Sequence, residues 1–209
     1  MALSTYSDLQ SAIANWLARA GDAALTAAAP DFITLAETRL NRDLRLRAME
    51  TRDSAFAISA AYTALPSGFL GLRSIRLNTT PAAALEAMAP EQMDRAHAGW
   101  QSGRPRAYAI VANQLRLAPT PDAAYSADIV YWKAFTALSA GQPSNWLLSN
   151  APDLYLYASL MEAVAFTGND ERLPLWAAAY ERARAAMQAA DDHGTWGGPA
   201  ARVRAERNP

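Results

Sequence analysis

Residues 145–167 read NWLLSNAPDLYLYASLMEAVAFT, and the class of the fold turns on this stretch. Pro152 and Asp153 suit a helix start, because proline has no N–H to lose in a first turn and an acid favours the positive end of the helix dipole. From Leu154 to Phe166 the residues are apolar on nearly every face, with Glu162 the only charge. A helix with one apolar stripe lies on a core, whereas one that is apolar all round must be covered on every side. Its 13 residues fall short of the roughly 20 needed to cross a bilayer, so no membrane partner is expected. The helix is expected inside a packed unit, or between that unit and another subunit. On the second reading Leu154, Tyr155, Tyr157 and Leu160 are the candidate interface residues.

Helical signals also bracket the chain. Ser7 and Gln10 have the spacing of a capping box, after which Leu9, Ile13, Trp16, Leu17 and Ala20 recur at helical intervals until Gly21. Pro30 and Asp31 predict the start of a second helix, with Phe32, Leu35, Ala36 and Leu40 inward, running to about Leu46. From about Asp170 to Ala190, Leu173, Trp176, Tyr180, Ala183 and Met187 form a heptad-like stripe, with Glu181, Arg182 and Arg184 beside it.

Between these helices the period changes. Tyr62–Pro66, Gly71–Leu77, Ala107–Val111, Gln114–Leu117 and Tyr125–Phe135 are short β-rich runs separated by Pro, Gly and Asn. Tyr108 to Leu117 reads as a hairpin turning at Ala112-Asn113, with Tyr125–Trp132 as its next neighbour. Pro90 to Ala98 predicts one short helix inside the β region, with Met93 and His97 a turn apart. The expected fold is therefore α+β. N- and C-terminal helices (1–50 and 145–190) pack as a bundle, an antiparallel β module (51–144) is inserted between them, and an extended tail (191–209) follows.

Composition narrows the function classes. The chain has 209 residues, 51% hydrophobic and 19% charged, which is ordinary for a globular protein. A net charge of −1 provides no bulk attraction for nucleic acid. With no cysteine there is no disulfide, thiolate nucleophile or Cys-type zinc site. The opening MALSTYSDLQ lacks a basic and then apolar leader, so no signal peptide is expected and folding in the cytoplasm is the default. Lys133 is the only lysine among 19 basic residues. Arginine suits bidentate interface pairs, and GC-rich coding would produce the same bias together with the many alanines.

Catalytic signals are few. His97 and His193 lack the spacing of a zinc hydrolase, and Asp191-Asp192-His193 are three adjacent tail residues rather than a converging ligand set. The glycines from Gly194 to Gly198 lie outside any strand–turn–helix context, so they do not form a phosphate cradle. Glu37 and Asp43 lie on an arginine-rich helix, where ion pairing accounts for them better than acid–base work. No catalytic residue, metal site or cofactor is expected.

Contact signals are more numerous. Arg39, Arg42, Arg45, Arg47 and Arg52 fall within 14 residues, the first three at helical spacing. They read either as a solvated face offset by Glu37, Asp43 and Glu50, or as a surface for an acidic partner or passing DNA phosphates. Trp100, Trp146 and Trp196 fall in predicted loops or the tail, where tryptophan either caps a core or anchors a partner. The tail carries Trp196, Arg202, Arg204 and Arg207, which suit an arm that orders on an acidic surface if the tail is not merely frayed.

Four blocks resemble bacteriophage head–tail adaptor proteins: residues 29–45, Tyr62 to Ile75, Tyr108 to Pro119, and Asn145 to Leu160. Together they span about residues 5 to 190 in order. The resemblance implies a non-catalytic ring of twelve copies in the virion neck. That ring joins the portal protein to the tail tube or nozzle, and genomic DNA passes through its lumen. It also implies helical domains side by side around the ring, a β-rich part facing the tail, and a C-terminal segment reaching for the portal through Trp196, Arg202, Arg204 and Arg207. Arg39, Arg42 and Arg45 would then line the lumen or meet an acidic partner. Two other readings stay open: a soluble α+β enzyme of unrecognised type, and a DNA-binding module using Arg39 to Arg52.

Overall fold

A computed structural model describes residues 3–96, 102–168 and 170–196, with 195 and 196 described by backbone alone. The chain forms two compact units, Met1–Arg47 with Phe135–Pro209, and Ala48–Ala134. In chain order the first elements are α1 (Tyr6–Trp16), α2 (Ala23–Asp43), β1 (Glu50–Ile58), β2 (Tyr62–Ala64), β3 (Phe69–Leu77), β4 (Ala83–Ala84) and β5 (Glu86–Ala87). There follow α3 (Pro90–Ala96), β6 (Ala107–Val111), β7 (Gln114–Ala118), β8 (Tyr125–Lys133), α4 (Trp146–Asn150), α5 (Pro152–Thr167) and α6 (Leu173–Trp196). The fold class is α+β, as expected.

In the helical unit, α5 is the central helix and packs on α1, α2, α4 and α6. Pro152 occupies its first turn, and Leu154, Tyr155, Ala158, Ser159, Leu160 and Ala163 are wholly buried. The capping box of α1 lies two residues before the expected one. Thr5 Oγ1 accepts from the Asp8 N–H at 3.2 Å, and Asp8 Oδ2 accepts from the Thr5 N–H at 3.0 Å. Asp8 brings to the box a full negative charge that Gln10 lacks, and the helix dipole favours it.

Helix α2 begins at Ala23, not at Pro30. Asp22 caps it, accepting from Ala24 and Leu25 N–H groups at 2.9 and 3.2 Å, and Pro30 sits inside the helix. The interior proline forfeits one backbone bond. Burial of Leu25, Ala29, Phe32, Ile33, Ala36 and Leu40 along one face holds the helix together across it. Leu35, expected inward, is instead 50% exposed, and Trp16, on the helical period of α1, is 45% exposed. Helix α6 continues to Trp196, past the expected end at Ala190, so Asp191 to Trp196 are helical rather than extended.

The β unit has two four-stranded sheets, ordered β1-β8-β3-β4 and β2-β7-β6-β5, antiparallel except where β5 meets β6. Phe56, Ile58, Ile75, Leu77 and Ile129 of the first sheet share one core with Leu115 and Leu117 of the second. The β6–β7 hairpin turns at Ala112 and Asn113 as expected, with φ of 49° and 61°. Tyr125–Trp132 is not the hairpin's neighbour but the centre of the other sheet, between β1 and β3. From there Ala127, Ile129 and Tyr131 reach the shared core. Strand β1 escaped the sequence reading because Glu50, Arg52 and Asp53 interrupt its apolar pattern. Helix α3 sets Met93 against Ala107, Ala109 and Ala118 in a smaller cluster.

Candidate functional site

Helix α2 sends two acids to tyrosines of the closing helices. Glu37 is 6% exposed and falls on the buried stripe of Ile33, Ala36 and Leu40. The Tyr155 hydroxyl donates to Glu37 Oε1 at 2.5 Å, and the Leu138 N–H donates to the same oxygen at 2.7 Å. Burial raises the Glu37 pKa above the usual glutamate value, against the lowering effect of both bonds. Asn145 Nδ2 donates to the Tyr155 hydroxyl at 3.2 Å and to the Thr136 carbonyl at 2.8 Å. Its Oδ1 caps α4 by accepting from the Leu148 N–H at 2.9 Å. Near the end of α2, Asp43 accepts from the Tyr180 hydroxyl at 2.6 Å. The expected pairing of Glu37 and Asp43 with arginines is thus replaced by tyrosine donors, which can be buried without a second full charge.

The arginine run is divided among several tasks. Arg39 bonds Glu162 of α5, Nε to Oε1, at 2.7 Å. Arg45 turns back on the C-terminal carbonyls of α2, bonding Asn41 O at 2.7 Å. Arg47 holds Asp191 of α6, with Nε to Oδ1 at 3.2 Å. In the β unit, Arg52 grips Asp128 through two bonds of 2.8 Å, and Arg76 reaches the same carboxylate at 3.0 Å. These contacts hold Asp128 well below the usual carboxylate range, at about 2. Of Arg39, Arg42 and Arg45, Arg42 is the exposed one, and it bonds along its own helix to Thr38 O at 3.3 Å.

The candidate interface helix is corrected in the same way. Leu154, Tyr155 and Leu160 are 0% exposed within a single chain, so their own unit already covers them. Tyr157 is half-buried, with its ring edge-on to Trp16 at 5.8 Å. Trp146, expected in a loop, begins α4 and meets Phe135 edge-on at 6.5 Å. Trp196 ends α6, and its side chain lies outside the described residues, as do His97, Trp100, Arg202, Arg204 and Arg207. Among the described residues no three His, Asp or Glu side chains gather as metal ligands. Nor, among them, is any helix long and apolar enough to cross a membrane.

Apolar surface does reach solvent. Besides Leu35 and Trp16, Phe166 at the end of α5 is 47% exposed, its ring 5.5 Å from Phe32. Sequence periodicity missed the buried Glu37–Tyr155–Asn145 chain. Its available signals were an acid on an apolar stripe and an asparagine just before a helix.

Tyr155–Glu37, Tyr180–Asp43 and Arg39–Glu162 tie helix to helix, and Arg52 and Arg76 on Asp128 tie strand to strand, as in a structural component. The family model for the SU10 adaptor protein matches residues 4–204. The chain belongs to the SU10 adaptor family. This is a phage head–tail adaptor family, so the chain is a structural protein of the phage particle. Membership of the SU10 adaptor family implies contact with other head or tail proteins and points to the virion neck. No curated protein matches the chain.

Proposed function

We propose that this adaptor forms a ring of twelve copies between the portal protein and the tail tube or nozzle, with genomic DNA passing through its lumen and no catalytic role. The family match over residues 4–204 carries this reading, because it runs through both units and both helical ends. Two physical features support it. A closed ring multiplies modest lateral contacts, so a chain of this size can hold a neck without one very strong interface. The net charge of −1 and the paired state of Arg39, Arg47 and Arg52 suit a channel that lets DNA slide rather than one that grips it. The same pairing weighs against a DNA-binding module built on Arg39 to Arg52.

Within this reading Trp196, Arg202, Arg204 and Arg207 are the arm that meets the portal. The exposed Arg42 is the member of the Arg39–Arg45 set with charge to offer an acidic partner or the lumen. Synthesis takes place in the host cytoplasm before assembly. The test is native mass spectrometry of the chain mixed with the portal protein of the same phage. A ring-sized complex on an intact portal is expected, and loss of that complex on deleting residues 196–209 assigns the arm. A chain that stays alone at every ratio overturns the proposal.

A further inference from the structure

Helix α2 has different chemistry on its two flanks. Thr26 and Leu35 are nine positions apart, which at about 100° per residue places them about 180° apart around the helix. On the Thr26 flank, two adjoining hollows of about 430 and 570 Å³ run along α1 and share Ser7 and Gln10. Ser11, Ala14 and Pro30 help line them, and among the described residues no charged side chain does. On the Leu35 flank, Leu35 is half-exposed one turn on from Phe32, whose ring meets that of the half-exposed Phe166. Among the described residues, one side of the helical unit is thus an uncharged hollow lined mostly by small residues, and on the other Leu35 and Phe166 are half-exposed, with the exposed Asp31 and Arg42 a turn or two from Leu35.

We propose that the Leu35–Phe166 flank of one copy seats in the α1–α2 hollow of the next, forming the lateral contact of the assembly. This rests on the ring reading above. Closing a ring requires a head-to-tail contact between two unlike patches on opposite sides of each subunit, and α2 carries such a pair. The hollow suits this occupant. A charged partner would be buried there without a counter-charge, whereas leucine and phenylalanine lose only water. Serine and alanine at Ser11 and Ala14 leave room for side chains of that size.

The chain has no cysteine, so the contact can be tested by pairing two introduced ones. Three full-length proteins are assembled on the portal and oxidised: Leu35→Cys, Ala14→Cys and the double variant. A head-to-tail contact gives a ladder of covalent multimers from the double variant and none from either single variant. Native mass spectrometry of the wild-type chain runs alongside. If the wild type forms no ring on the portal, the ring reading itself fails. If the ring forms and the double variant assembles without a ladder, this contact is overturned while the ring stands. Hydrogen exchange on the wild-type ring provides an independent readout should the variants fail to assemble. Protection of residues 7–15, and of the segments bearing Leu35 and Phe166, relative to the free chain is expected. Protection of neither overturns the contact, as does a hollow protected by the portal or a small molecule before copies associate.

Discussion

Tyr155 donates its hydroxyl to Glu37 across 2.5 Å, linking α5 to α2 where both helices are buried. The bond joins the most apolar helix of the chain to an acid inside an apolar stripe. Tyr155→Phe leaves Glu37 with the Leu138 N–H as its described donor. The expected loss is about 1–3 kcal/mol in urea unfolding of the helical unit, the cost of under-satisfying a buried polar group. An unchanged midpoint would mean that water takes the place of the hydroxyl.

Glu37 also sets a pH dependence. Its folded pKa is raised, so its contribution is fully present below the unfolded value of about 4.3 and is lost as pH rises through the folded value. Glu37→Gln cannot titrate. The stability of the wild type relative to Glu37→Gln should therefore fall across that window, as read by denaturation at a series of pH values. A constant difference would place the carboxylate in a wetter site.

In the β unit the sign is opposite. Asp128 is held at about 2 by Arg52 and Arg76, so its contribution is present above the unfolded value of about 3.9 and fades as pH falls toward about 2. Asp128→Asn should remove that acid limb and lower stability at neutral pH. Both arginines are more than half exposed, so the effect should shrink in about 1 M salt, where the Debye length is about 3 Å.

The hairpin turn offers a gain. Ala112 holds a φ of 49°, a left-handed conformation that costs a residue with a Cβ on the order of 1 kcal/mol. Ala112→Asn or Ala112→Gly should raise the melting temperature of the β unit, by up to about 1 kcal/mol in stability. A fall would show that the alanine methyl packs usefully.

Arg47 pins the last turns of α6, since its backbone N–H and Nε both donate to Asp191. Arg47→Ala should speed amide exchange over residues 188–196 without unfolding the rest of the helical unit. Unchanged exchange there would mean that α6 holds its end unaided.

Much of this architecture was legible from local pattern. The all-round apolar run of Leu154 to Phe166, the stripe on α6 and the Ala112-Asn113 turn each depend on residues close in sequence, so α+β with a β insert follows from them. Boundaries were less legible because neighbouring signals compete. Thr5 and Ser7 both start plausible capping boxes, and Pro30 reads as a helix opener until Asp22 is seen capping a longer one. Strand β8 was placed in the wrong sheet because chain proximity favours local pairing, whereas Ala127, Ile129 and Tyr131 had to meet the core from the opposite side.

The sequence by itself determined the fold class, the central buried helix and, through its resemblance, the adaptor family. Tertiary structure alone decided which apolar residues are spent inside and which remain for a neighbour. Leu154, Tyr155 and Leu160 are wholly enclosed, while Leu35, expected inward, and Phe166, at the end of the all-apolar run, stay half-exposed. A wheel gives a residue's angle but not how far each neighbouring helix extends along it, and that coverage is set by partners more than a hundred positions away in the chain, as Glu37 is from Tyr155.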